Sequence, residues 1–198
     1  MTRRLAVGSI LGGIILFVWS ALAWMLIPWP GEPLHSFANE DAVAQVITAN
    51  APRSGNYLLP NEPKRTAGMS DEQYKAAKLA AMDKMVGGPM IFLAVRLEPM
   101  GSMGKLMAVD FLSRIVLALI ATFLLMQTSG LSYAGRVAFV TAIGVAIFLG
   151  GSFEQWNWFS FSNAYLLMEF GGTVIGWILA ALVIAKVVTG KPARAHAR

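Results

Sequence analysis

Three ionisable residues interrupt otherwise apolar stretches of this 198-residue chain: Asp110, Arg114 and Glu169. Asp110 and Arg114 are four apart, which on a helix places them on one face within reach of each other. A lone charge in hydrocarbon costs at least ~2.5–3.5 kcal/mol even on insertion scales, so such residues are expected to pair. At ~1.5 Å per residue, all three fall roughly 6–12 Å below the same membrane boundary. The expectation is therefore Arg114 held between two carboxylates, one from its own helix and one from another. Such a cluster serves as a structural clamp, or as a site for an ion, a proton, a quinone or a lipid headgroup. The remaining reading is a carboxylate lying at the interface. A proton path across the whole membrane is not expected, because the other halves of these stretches carry few polar residues, mainly Thr122.

A second set is methionine. Met82, Met85, Met90, Met100, Met103 and Met107 fall within 26 residues. Thioether sulfur is a soft ligand that selects Cu(I), which makes Met82, Met85, Met100, Met103 and Met107 candidate copper ligands. The plainer reading is flexible filler at interfaces and in small cores. Apart from this Cu(I) alternative no cofactor is expected. A third set is aromatic: Trp156, Trp158, Phe159 and Phe161, with Phe153, crowd residues 153–164. Indole and phenyl rings mixed with Glu154 and Asn157 are the mark of an interfacial segment. The same rings would also suit a docking face for a partner subunit, a lipid or a quinone. Glycines four apart, Gly8 with Gly12 and Gly172 with Gly176, allow helix backbones to approach closely; packing within the chain is the expected use, and packing between chains is the alternative.

No catalytic set stands out. His35, near Ser36, Glu40 and Asp41, is a weak nucleophile–base arrangement. There is no zinc-protease helix motif, nucleophile elbow, phosphate loop or dinucleotide fingerprint. The absence of Cys removes thiolate catalysis, disulfides and iron–sulfur ligation, and two histidines, His35 and His196, do not make a haem or zinc centre.

The elements that must position these residues follow from hydropathy. Hydrophobic residues make up 56% and charged residues 14% of the chain, against about 25% charged in a soluble domain, so the chain cannot clothe an ordinary water-facing surface. Residues 5–28 form an uncharged run long enough to span, since about 20 residues suffice. A basic start and Ala21-Leu22-Ala23 also fit a cleavable signal peptide, but the run continues past that site. Further spans are expected at 106–126, 137–152 (short unless Phe153 and its neighbours extend it) and 165–185, with a turn at 127–136. Between the first two lies a polar insert. Asn39 caps a helix over 40–50. Residues 55–59 and 90–97 read as strands. Ser70-Asp71-Glu72-Gln73 is a capping box for a helix that stops at Gly87-Gly88. Strand, helix, strand suggests a small parallel βα unit.

The fold class expected is thus a mainly α membrane protein with four transmembrane helices and a small α/β extracytoplasmic insert between helices 1 and 2. Its parts are an N-terminal anchor at 1–28, the insert at 29–105, a three-helix bundle at 106–187 and a basic tail at 188–198. Residues 28–105 carry eight basic and eight acidic residues, while the excess lies at the ends, in Arg3, Arg4, Lys186, Lys191, Arg194 and Arg198. That distribution argues for membrane orientation rather than nucleic-acid binding. It puts both termini in the cytoplasm, and 29–105 and 153–164 outside, in a bacterial inner membrane. The function expected is a non-catalytic accessory, assembly or partner-binding component, in contact with the lipid bilayer and with a membrane-protein partner or a second copy. A small-ligand binder, at the methionines or the charge cluster, is the alternative.

Overall fold

A computed structural model describes residues 2–188; residues 189–198, most of the basic tail, lie outside the described residues. Among the described residues, four helical stretches are long and apolar enough to cross a membrane: Thr2–Met25, Met103–Gln127, Tyr133–Phe159 and Asn163–Val187. By length and composition the chain is a multi-pass membrane protein. The first stretch is helix α1 (Thr2–Met25). The insert contributes α2 (Glu40–Asn50), β1 (Gly55–Leu59), α3 (Asp71–Gly87) and β2 (Ile91–Val95). The second span is α4 (Met103–Gln127). The third joins α5 (Tyr133–Gly150) to α6 (Ser152–Phe159), and the fourth joins α7 (Asn163–Phe170) to α8 (Gly176–Val187) through a π-helical turn at Gly171–Ile175.

Two compact units are present. One holds the spans; the other consists of His35–Met100 together with Asn157–Ser160. In the span unit, α8 is the hub. Its stretch is 44% buried, against 28% for the first, 22% for the second and 17% for the third. The core is Leu16 of α1, Ala118, Ala121 and Leu125 of α4, Val140 of α5, and Trp177, Ala180, Ala181 and Ile184 of α8. Alanines and glycines let the helices close on one another, as expected where lipid supplies no hydrophobic drive between helices. A Cβ on Gly13 would lie 2.7 Å from the Cα of Ile115, so α1 and α4 meet backbone to backbone there. The outward faces are large and apolar: Val7, Ile10, Leu11, Ile14 and Val18 on α1, and Val109, Leu112, Val116, Ile120 and Phe123 on α4. Contiguous exposure on that scale suits hydrocarbon, not water.

The insert forms by local rules. Asn39 accepts from the Ala42 amide at 2.9 Å, and Ser70 and Gln73 complete their reciprocal capping box. The strand pairing departs from expectation. β1 and β2 are antiparallel, with Gly55 opposite Val95 and Leu59 opposite Ile91. The reason is the length of residues 60–70. Extended chain advances up to ~3.3–3.6 Å per residue and helix ~1.5 Å, so this loop can run out along α3 and the helix can bring the chain back to the end it left. Lys78 of α3 pairs with Glu62 of the loop, and Arg65 pairs with Asp71, as that path requires.

The third span also differs. It starts at Tyr133, where Ser132 caps it by accepting from the Gly135 amide at 3.1 Å, so the preceding turn is only 128–132. It continues through Gly151 into α6, so most of the aromatic segment is helix rather than loop.

Candidate functional site

The polar residues of the spans were expected to converge; the structure divides them. Arg114 Nε donates to Asp110 Oδ1 at 3.2 Å, an i,i+4 pair whose side chains are 32% and 42% exposed. Glu169 Oε2 instead accepts from Ser152 Oγ at 2.9 Å, linking α7 to the start of α6. Among the described residues no ion pair joins Arg114 to Glu169. The first span occupies the space between them. Phe17 of α1 packs edge-on against Phe111, beside Asp110, with ring centroids 5.3 Å apart. Trp19 of α1 donates from Nε1 to the Gly171 carbonyl at 3.1 Å, two residues beyond Glu169. The sequence placed all three charges at similar depth but could not say that α1 lies between their helices.

The π turn beside Glu169 was not anticipated. Its i→i+5 geometry brings Gly171 and Gly176, five apart, onto the face that meets α1. A Cβ on Gly171 would lie 2.1 Å from the Trp29 ring, and one on Gly176 would lie 2.8 Å from Trp19. Trp29 is held over this point by a 2.6 Å bond from its Nε1 to the Ala23 carbonyl. Gly172 meets nothing within 4 Å among the described residues, so within the chain it does not share the packing face of Gly176; the extra residue of the π turn rotates Gly172 off that face. Gly8 and Gly12 do face neighbours within the chain, Thr122 for the first, Ile184 and Ala118 for the second. The Thr122 hydroxyl is fully buried there and, among the described residues, has no hydrogen-bond partner.

Met82 and Met85 line one groove of about 360 Å³ between α3 and the 60–70 loop, with Glu62, Pro63, Lys78 and Leu79. Met100, Met103 and Met107 are exposed; Met100 belongs to the insert unit and the other two to the span unit. Met90 is engaged otherwise: its sulfur accepts from Ser160 Oγ at 3.9 Å. The aromatic residues also divide. Trp156 donates from Nε1 to Asn163 Oδ1 at 2.7 Å and stacks near Phe153, and Phe161 packs against Tyr165. Phe159 sits against Phe92 of β2, centroids 4.6 Å apart, while Trp158 is 66% exposed.

No family model, curated protein or solved structure matches the chain.

The insert has little interior. Within residues 35–100, Ala51 is the one buried residue, and α2 and α3 bury none. Leu79, Met82 and Val86 form an exposed stripe along α3, with Val86 at 85% exposure. What holds the unit is polar and at the surface. The Ser54 hydroxyl donates to Glu98 and also accepts from the Leu97 amide at 2.8 Å. The Ser54 bond, with a backbone amide and Arg96, draws the Glu98 carboxyl below its ordinary value. Glu72 is lowered by its own backbone amide and by the Ser70 hydroxyl. Lys78 is raised by its hydrogen bond to and charge attraction from Glu62, and by Tyr74.

Proposed function

We propose that this chain is a non-catalytic component of a bacterial inner membrane that holds a partner protein through its extracytoplasmic insert. The observation that carries this reading is the insert's lack of a core. A segment of this size is marginal even when well packed, yet its helices present Leu79, Met82 and Val86 unburied. A partner that covers this stripe would supply the missing apolar burial. Orientation rests on the basic residues: Arg3, Arg4, Arg136 and Lys186 gather where α1 and α5 begin and α8 ends, which the positive-inside tendency assigns to the cytoplasm. With four spans, both termini then share that side and the insert faces outward. The test is photocrosslinking in cells from a reactive residue placed at Met82 or Val86, with Val116 on the lipid face of α4 as control. The same protein adduct from both insert positions, and none from position 116, is expected. Intact but uncrosslinked chain at every position would refute a partner on this stripe.

A second reading keeps the methionines. Met82 and Met85 share a groove, and two thioethers there would offer Cu(I) soft ligands. Cu(I) titration of the purified protein against Met82→Leu/Met85→Leu separates this from packing; equal uptake by both proteins removes it.

A further inference from the structure

A groove of about 660 Å³ runs along α5 against α8, lined mainly by the apolar residues Ala134, Val137, Ala138, Ala142, Val145 and Leu182, with Thr141 among them and Tyr133 at its mouth. The outward faces of α1 and α4 carry many large apolar side chains; here Ala134, Ala138 and Ala142, one turn apart, are exposed and hollow out the surface. From Tyr133 to Val145 it extends ~18 Å at 1.5 Å per residue, close to the ~15 Å of one leaflet of a ~30 Å hydrocarbon core. At the mouth, Tyr133 donates its hydroxyl to the Leu182 carbonyl at 2.9 Å. Arg136 lies with its guanidinium 6.0 Å from the Tyr133 ring. That guanidinium donates to the carbonyls of Ala185 at 3.0 Å and Leu131 at 2.8 Å. Both partners are neutral, and among the described residues no carboxylate pairs with it. Lys186 follows at the exposed end of α8. Among the described residues this end of the bundle, where α1 and α5 begin and α4 and α8 end, holds Arg3, Arg4, Arg136 and Lys186 and no side-chain carboxylate.

We propose that this groove is a binding site for an anionic phospholipid, one acyl chain lying along the alanines and the phosphate held by Arg136 and Lys186. Charge decides the occupant. Basic pockets between helices at a membrane surface attract anionic headgroups. A second copy inserted in the same orientation and related by a two-fold axis would bring a second Arg136 and Lys186 to the same end, like charge against like.

The experiment is native mass spectrometry of the full chain in mild detergent, after delipidation and titration with phosphatidylglycerol or phosphatidylcholine. Retention of one phosphatidylglycerol, at least roughly fivefold over phosphatidylcholine for one charge contact, is expected. Ala138→Leu/Ala142→Leu, both at exposed positions, fills the groove and should abolish retention of either lipid. Arg136→Gln should remove the preference for phosphatidylglycerol and Arg136→Lys restore most of it; if Arg136→Gln does not fold, the groove-filled variant decides. Equal retention of the two lipids by the wild type would overturn the proposal, as would undiminished phosphatidylglycerol binding by the filled variant. So would a disulfide-linked dimer of Ala138→Cys in phosphatidylglycerol membranes, a clean readout because the chain has no other cysteine.

Discussion

Arg114 faces Asp110 on its own helix, and Glu169 takes its hydrogen bond from Ser152. That division makes a quantitative prediction. In double-mutant cycles monitored by thermal unfolding in detergent, Arg114→Gln should couple to Asp110→Asn by about 0.5–1 kcal/mol, the usual scale of a polar contact within a membrane protein. It should couple to Glu169→Gln by less than about 0.3 kcal/mol, because residues that share no partner act additively. Coupling of similar size in both cycles would restore the three-residue cluster. The pairing of Asp110 with Arg114 was legible from a spacing of four. Glu169 was legible as a costly residue that needs a partner, but not which one, because Ser152 lies 17 residues away and reaches it only once α6 and α7 fold back on each other.

Helix packing turns on which glycine meets which neighbour. Gly13, in the sequence a plain glycine next to the more conspicuous Gly8–Gly12 pair, is where backbone meets backbone. Gly13→Ala should therefore destabilise by about 1–3 kcal/mol, the cost of overpacking a contact that cannot yield. Gly172→Ala, in open space, should be neutral or gain up to about 1 kcal/mol from reduced backbone entropy in the unfolded chain. Melting temperatures of the two variants in one detergent check both; equal losses would place Gly172 back at an interface. Spacing alone favoured Gly172 because it assumes 3.6 residues per turn, and the π turn breaks that assumption. The caps, by contrast, were legible at Asn39 and Ser70, since a cap needs only the side chain and the amides two or three residues on. The strand direction was not, because a helix between two strands suits either sense and only the path of residues 60–70 chooses.

At the scale of the molecule, the insert's single buried residue, Ala51, predicts that residues 35–100 made alone will not fold. Backbone amide resonances of that fragment should be collapsed into the random-coil range; a dispersed spectrum would show that the insert supports itself and would weaken the case for a covering partner. Length and hydropathy by themselves marked out four stretches long and apolar enough to cross a membrane, because hydrocarbon admits only segments that satisfy their own backbone, and that requirement is written in runs of apolar residues. They also placed the insert between the first two spans. Only the tertiary structure decided which spans touch, that α1 lies between the charges, that Asn157–Ser160 joins the insert, and that α5 leaves a hollow beside Arg136. Each of these depends on which face of a helix meets another, and nearly uniform apolar spans carry little of that information: lipid and protein interior look alike to a leucine.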